Sequence, residues 1–214
     1  MYHPIYCKQG TKERIERHNA CVKAIGTAIE KFAQGRVLYE LPMRAPGTDD
    51  PNPPRIDLHV SIGATQYGID FTCVSPGAPS YVTATGPSTA TADAKAKKHA
   101  TYDDLVNDNP GMRFLPFVVH DTGHIDEEAL KFIDKIFGLD TAIPNPDPVL
   151  KRNRKYFLNT LRTNIIRGNR RIVDKFLSTY SSVAAYVDNF EASTPPTTPP
   201  LVVNSSGRSP TSYT

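Results

Sequence analysis

The feature that most constrains the fold is a pair of segments, residues 55–62 and 67–75, in which polar and apolar side chains alternate around a turn. Alternation with a period of two predicts β-strands that bury one face. If the turn consists of Gly63 and Ala64, opposed residues have numbers that add to 127, so that Asp57 directly faces Asp70. The hairpin is then polar on the face with both aspartates, and apolar on the other, at Ile56, Leu58, Val60, Ile62, Tyr67, Ile69, Phe71 and Cys73.

Two opposed aspartates are unexpected in a hairpin, because aspartate is disfavoured in strands and like charges across a strand pair are destabilising. The Cβ atoms of Asp57 and Asp70 would lie about 5 Å apart. A divalent cation would offset the repulsion, and Mg²⁺ is typically bound by one or two carboxylates together with water and phosphate oxygens. The alternative is a solvated polar face whose acidic pair is compensated by Arg55. The pattern alone leaves both interpretations open.

The remaining periodicities predict an α/β fold with a mixed four-stranded sheet and flanking helices. The expected order is helix, strand, strand, strand, helix, strand, helix, at residues 11–34, 36–41, 55–62, 67–75, 88–107, 113–120 and 125–138. A long crossover helix brings the fourth strand in parallel to the third. Thr11 is expected as the cap of the first helix and Asp126 as the cap of the last, and Pro116 predicts an end or edge position for the fourth strand.

Charge is concentrated near the C-terminus. The net charge is +3, but residues 149–179 contain nine Lys or Arg and only one acid, so this segment carries +8 and the rest of the chain −5. Its apolar period predicts a basic helical extension over residues 149–190, broken near Gly168. Such a segment suits a phosphate backbone, of DNA or of RNA through residues 151–175, or alternatively an anionic membrane surface. Residues 191–214 are of low complexity and are expected to be disordered.

Composition limits the class of protein further. Three widely spaced cysteines (Cys7, Cys21 and Cys73) do not make a disulfide framework and favour a reducing, intracellular environment. No stretch approaches the eighteen apolar residues of a membrane span. We therefore expect a protein of the cell interior that does not enter a membrane and that needs no small-molecule cofactor.

Five short motifs, in the same order, resemble the restriction-like endonuclease domain found at the C-terminal end of site-specific non-LTR retrotransposon proteins, which is a PD-(D/E)xK nuclease. The resemblance covers residues 12–137. The matching segments are Arg17-His18-Asn19; Arg55-Ile56-Asp57 with Asp70 after twelve residues; Asp70-Phe71-Thr72-Cys73-Val74 with Pro76-Gly77-Ala78-Pro79-Ser80; Lys98 with Tyr102; and Phe114-Leu115-Pro116-Phe117-Val118. Two departures are Ile56 in place of a proline and Thr72 at the position of the catalytic lysine in the wider superfamily.

The resemblance implies a site and a reaction. Asp57 and Asp70 would bind Mg²⁺ or Mn²⁺, and Lys98, with Lys95 as the alternative, would supply the catalytic lysine. Tyr102, Arg17, His18 and Lys95 would contact the nucleic acid. His18 is open to two interpretations, a satisfied core histidine or a residue at the edge of the active site. Glu40 is a weak candidate for a third acid.

Residues outside this set have simpler roles or belong to expectations about a longer protein. His120, Asp121, His124 and Asp126 have the composition of a metal site, but turn and cap roles also account for them. His3 and Cys7 resemble the remnant, within residues 1–10, of a zinc motif that precedes the domain in the family, so the chain is expected to be the tail of a longer polyprotein or a degenerate fragment.

Three functions follow as hypotheses: a DNA endonuclease domain of nuclear location that nicks a target site, a catalytically inactive nucleic-acid-binding module of the same fold, and an interaction fragment that needs further parts. The sequence alone does not decide between them.

Overall fold

The computed structural model describes residues 10–44, 47, 49, 51–78, 90–109, 111–140 and 147–193. Four strands and four helices follow in the order α1 (Thr11–Phe32), β1 (Arg36–Pro42), β2 (Arg55–Ile62), β3 (Thr65–Val74), α2 (Ala90–Asn107), β4 (Met112–His120), α3 (Glu127–Ile136) and α4 (Pro148–Ser193). The proposed zinc remnant at His3 and Cys7, and the tail from residue 194 onward, lie outside the described residues.

The sheet is mixed, as the sequence predicts. Its strand order is β1-β2-β3-β4, in which β1 and β3 pair with β2 antiparallel and β4 joins β3 in parallel. A parallel pair needs a long crossover connection, which α2 supplies. Pro116 is tolerated in β4 because β4 lies at an edge of this sheet, where one side of the strand needs no backbone donor.

The hairpin turn has the predicted length. The β2–β3 register runs from Ile62 opposite Thr65 to Leu58 opposite Ile69, and Gly63 adopts a φ of 57° in the turn. Positive φ at the first turn residue suits glycine, which has no Cβ to clash. The register ends one residue before the aspartates, so the two strands separate at the point where the predicted acidic pair begins.

The predicted alternation is wrong at Ile56. Leu58, Ile69 and Phe71 belong to the main core, whereas Ile56 packs with Tyr102 of α2 in a second cluster on the other side of the sheet. The pairing of β2 is interrupted at Asp57 on both sides, since the register with β3 ends at Leu58 and the register with β1 omits Asp57. The pleat that fixes which face each side chain takes is therefore not continuous from Leu58 to Ile56. Asp57 and Asp70 lie where the pairing of the two central strands ends.

Helices cover both faces of the sheet. The main core includes residues of α1, α3 and α4, with fully buried side chains at Ile25, Ile29, Leu58, Ile69, Phe117, Ile133, Leu161 and Ile165. Burying each such side chain contributes about 1.5–3 kcal/mol. The first part of α4 is therefore an integral part of the domain.

Two details of the helices differ from expectation. Gly10, not Thr11, is the N-cap residue of α1, so no side chain at the cap position accepts a hydrogen bond from the first turn. Gly168 does not break α4. A Cβ at Gly168 would lie 2.4 Å from Cγ of Arg17, so this glycine allows α1 and α4 to approach closely within a continuous helix. Tertiary packing here overrides the low helix propensity of glycine.

The chain divides into two compact units, Met1–Leu177 and Ser178–Thr214. The first unit holds the sheet and all the site residues considered below. In the second unit the structure describes only the helical residues 178–193. Among the described residues, no helix is both long and apolar enough to cross a membrane.

Candidate active site

Asp70 of β3 and Lys98 of α2 form a close ion pair. The Lys98 ammonium lies 2.7 Å from Oδ2 of Asp70, and Asp70 is only 3% exposed. Burial raises the pKa of Asp70, the Lys98 ammonium partly reverses this, and the negative charge of Asp57 raises it again. The buried carboxylate thus depends on a neighbouring cation for its charged state.

Asp57 of β2 is held from two sides. Its Oδ2 accepts a hydrogen bond of 2.7 Å from the backbone N–H of Phe71, and its Oδ1 lies 3.1 Å from Nε2 of His18. The Phe71 N–H is buried, and in an unbroken strand pair it would bond to the backbone of β2. The Asp57 carboxylate provides this acceptor where the strands separate, so Asp57 and Asp70 lie near each other at the same opening of the sheet.

His18 lies at this site and not only in the core. Its ring packs edge-on against Phe71, with ring centroids 5.4 Å apart. Burial lowers the pKa of His18, but the hydrogen bond to Asp57 and the charges of Asp57, Asp70 and Glu40 outweigh it, so that the pKa is raised overall. The acidic pair therefore favours the protonated, positively charged form of His18.

These contacts answer the question of what compensates the two aspartates. Lys98 and His18 face them, whereas the exposed side chain of Arg55 forms no ion pair with either carboxylate in the described part of the chain. The compensation by Arg55 that the sequence left open is not the arrangement found. The arrangement is an acidic pair with a lysine on one carboxylate and a histidine on the other.

Tyr102 lies one turn after Lys98 on α2 and is buried. Its hydroxyl donates a hydrogen bond of 2.6 Å to the carbonyl of Arg55, at the start of β2. Burial raises the pKa of Tyr102, and the negative charge of Asp70 raises it further, so the phenol stays protonated. Tyr102 therefore ties α2 to the start of β2, since its hydroxyl proton is already donated to a backbone acceptor.

Glu40 of β1 lies opposite Asp57 in the sheet. The β1–β2 register passes from Tyr39 opposite Leu58 to Leu41 opposite Ile56 and omits Glu40, whose φ is 55°. Positive φ is uncommon for a residue other than glycine and concentrates at functional sites. The Glu40 charge also raises the pKa of His18 and of Tyr102. The sequence indicates only weakly that Glu40 belongs to the site, because no sequence rule predicts a positive φ for a glutamate in a strand.

Two of the expected substrate-binding residues have other partners. Lys95 forms ion pairs with Asp126 at 3.1 Å and Glu128 at 2.6 Å, at the start of α3. Arg17 is 7% exposed and its guanidinium contacts Asn169 of α4. The structure thus gives Arg17 a structural environment between two helices, and it directs Lys95 away from Asp70.

The histidine-rich turn after β4 is organised as a turn and cap. Asp126 accepts a hydrogen bond of 3.1 Å from the backbone N–H of Glu128, which confirms it as the N-cap of α3. Nε2 of His120 lies 2.6 Å from Oγ1 of Thr91 in α2. In the described residues, no group of three or more His, Cys, Asp or Glu side chains forms a metal-binding cluster, here or elsewhere.

The donor set at Asp57 and Asp70 nevertheless fits one metal ion. Mg²⁺ and Mn²⁺ prefer oxygen ligands, and Mg²⁺ usually keeps several waters while it binds one or two carboxylates and the phosphate of a substrate. Two buried, mutually repelling carboxylates provide this number of protein ligands. A larger protein cage is not required for an ion of this type.

No protein-family model matches the chain, and a search of curated proteins finds no significant match. The interpretation of the site therefore depends on its own residues and geometry.

Proposed function

We propose that this chain is a metal-dependent DNA endonuclease domain of the restriction-like type, derived from a retrotransposon protein, which hydrolyses a phosphodiester bond to nick a target site. The observation that supports it is the convergence of Asp57, Asp70 and Lys98 from two strands and a helix. Two carboxylates for a divalent ion and one lysine are the groups that phosphodiester hydrolysis by this class requires. A role in nicking chromosomal DNA would place the protein in the nucleus.

Each residue has a definite part in this proposal. Asp57 and Asp70 would hold Mg²⁺ or Mn²⁺, which when bound polarises a phosphoryl oxygen and lowers the pKa of a bound water. Lys98 would orient the attacking water and stabilise the negative charge that develops at phosphorus. The Phe71 N–H and His18 fix the orientation of the Asp57 carboxylate, and Tyr102 fixes the strand that carries it.

A plasmid-nicking assay tests the proposal. Supercoiled plasmid is incubated with Mg²⁺, with Mn²⁺ or with EDTA, and conversion to the open circle is measured for the wild type, Asp70→Asn and Lys98→Gln. Lys95→Gln is the matched control, because it removes the same charge one helical turn away. We expect nicking by the wild type and the control only, and only with the metal. Nicking that survives Asp70→Asn would refute the site.

The second candidate is a catalytically inactive nucleic-acid-binding module of the same fold. Thr72 occupies the position expected for a catalytic lysine in the wider superfamily, and the ammonium of Lys98 is already engaged by Asp70 at 2.7 Å. A folded wild-type protein that binds DNA but does not nick it with either metal would favour this candidate.

A further inference from the structure

The solvent-facing side of α4 is strongly basic. Of the nine Lys and Arg residues between 149 and 179, all but Arg154 are exposed. Arg170 pairs with Asp174 and Arg171 with Glu16, both at or beyond 3.4 Å. Within the described part of the chain, the side chains of Arg152, Lys155 and Arg167 form no ion pair or hydrogen bond. These three cations are therefore available to an external anion.

The apolar side of α4 is already used. Phe157, Leu158, Leu161, Ile165 and Ile172 are at most 7% exposed and face the domain. A helix that lies on a membrane needs a continuous apolar face for the acyl boundary. The opposite side of α4 offers only separated apolar residues among its cations and polar groups, so its chemistry fits a hydrophilic polyanion better than a lipid surface.

The buried side of α4 packs against α1, the helix that carries His18. Gly168, next to Arg167, packs against Arg17, whose neighbour His18 reaches Asp57. Arg152 and Arg167 are fifteen residues apart, which corresponds to about 22 Å along a helix. At 3.4 Å per phosphate along one strand, this length would follow about six base pairs of a duplex.

We propose that Arg152, Lys155 and Arg167, which we call the α4 cation set, bind the phosphate backbone of duplex DNA that flanks the cleavage site. This contact does not depend on the base sequence and supplies binding affinity, whereas Asp57, Asp70 and Lys98 would carry out the hydrolysis. The choice of DNA as the polyanion rests on the proposed function. The existence of a polyanion-binding face on α4 does not, because it depends on charge and exposure alone.

Binding of a fluorescent 25-base-pair duplex, measured by anisotropy in EDTA and in the Asp70→Asn background, tests the proposal without any cleavage. The triple variant Arg152→Gln, Lys155→Gln and Arg167→Gln should bind about ten- to a hundred-fold more weakly at about 150 mM salt. The slope of log K against log salt should decrease in magnitude by about 2 to 3, since each lost phosphate contact contributes about 0.9. Each single variant should lose close to one unit of slope.

The matched control replaces three exposed cations of other elements, through Arg36→Gln, Arg113→Gln and Lys131→Gln. It removes the same net charge, so we expect less than a three-fold loss of affinity. An equal loss in both triple variants would mean that net charge, not the α4 cation set, attracts the duplex, and it would overturn the proposal. Thermal unfolding of each variant verifies the fold, and the single variants replace the triple variant if it does not fold.

Vesicle binding distinguishes an anionic lipid surface from a DNA duplex as the partner of the α4 cation set. Vesicles of phosphatidylcholine with phosphatidylserine are tested by co-sedimentation beside the duplex. Vesicle binding that requires the α4 cation set, with no duplex binding, would overturn the proposal in favour of a membrane surface. Loss of duplex binding in the triple variant of a protein whose wild type does not nick would sustain the α4 interface and refute only the proposed nuclease.

Discussion

Asp57 is expected to support both the fold and the chemistry, and two substitutions separate these roles. In Asp57→Ala, the buried N–H of Phe71 loses the acceptor that lies 2.7 Å away. In Asp57→Asn, the amide oxygen can still accept from that N–H. Both variants remove the negative charge of Asp57 and so relieve its repulsion with Asp70 equally. The difference between the two variants therefore measures the hydrogen bonds of this side chain, chiefly that from the buried Phe71 N–H and secondarily the contact with His18, together with the lost side-chain packing.

The magnitude follows from the cost of a buried donor without a partner, which is about 1–3 kcal/mol. Asp57→Ala should thus be less stable than Asp57→Asn by about that amount. In a domain of this size, a change of 1 kcal/mol in the free energy of unfolding shifts Tm by about 2–4 °C. The Ala variant should therefore unfold roughly 2–12 °C below the Asn variant, whereas the Asn variant should stay close to the wild type.

Circular dichroism melts in EDTA measure this difference, and the same melts in Mg²⁺ address the metal. At a free Mg²⁺ concentration about ten times Kd, linkage should stabilise the wild type by about 1.4 kcal/mol. Neither variant should gain this, and neither should nick plasmid. Equal Tm values for the two variants would refute the structural role of the Asp57–Phe71 bond. A full Mg²⁺-dependent gain in Asp57→Asn would refute Asp57 as a metal ligand.

Three further predictions concern the lysines, the histidine and the helix contact. Lys98→Gln should reduce nicking by at least about a hundred-fold while Lys95→Gln stays within a few-fold, in single-turnover assays at saturating protein. His18 has a raised pKa in the fold, so its stabilisation is complete below the ordinary value of about 6.5 and disappears as pH rises through the folded pKa. Urea titrations from pH 5.5 to pH 9 should show that the free energy of unfolding falls as the pH rises through the folded pKa of His18. His18→Gln should remove this pH dependence, and an unchanged pH dependence in the variant would contradict the prediction. Gly168→Ala should lower the free energy of unfolding by about 1–2 kcal/mol, because the new Cβ would lie 2.4 Å from Cγ of Arg17 and this overpacking costs more than the gain in helix propensity. A raised Tm would contradict this prediction.

The hairpin shows which part of the site local chemistry could predict. A two-residue turn and a strict alternation determine the register, and the register brings Asp57 and Asp70 to the same place in the sheet. Neither rule predicts where the strands separate. At that separation the Asp57 carboxylate accepts the hydrogen bond of the Phe71 N–H, which is a contact between residues fourteen positions apart. The predicted direction of the Ile56 side chain was wrong for this reason.

Helix spacing shows the same limit. Lys95 and Lys98 lie three residues apart on α2, and spacing alone makes them equivalent neighbours of a site. Their partners differ because α3 begins with Asp126 and Glu128, which attract Lys95, while β3 presents Asp70 to Lys98. Gly168 was expected to end a helix, since its tertiary partner Arg17 is about 150 positions away in the chain. Long-range contacts of this kind have no local signature.

The position of Lys98 depends on how α2 is attached to the sheet. Few of its side chains are buried, and most of those are small, so apolar burial alone anchors it weakly. Instead, four polar side chains at spacings of three and four residues tie it to four different elements. Their contacts are Thr91 with His120 of β4, Lys95 with Asp126 and Glu128 at the start of α3, Lys98 with Asp70 of β3, and Tyr102 with the Arg55 carbonyl of β2.

Anchors on both sides of Lys98 restrict its movement along and across the sheet. The Lys95 ion pairs are partly exposed and so contribute little individually, whereas the Tyr102 hydrogen bond is short and lies one turn from Lys98. Tyr102→Phe should therefore displace the Lys98 ammonium from the Asp70 carboxylate more than Lys95→Gln does, although Tyr102→Phe removes no charge. A catalytic lysine supplied by a helix, and not by the strand that carries Thr72, requires this kind of attachment, because the strand no longer fixes the distance from the ammonium to the Asp70 carboxylate.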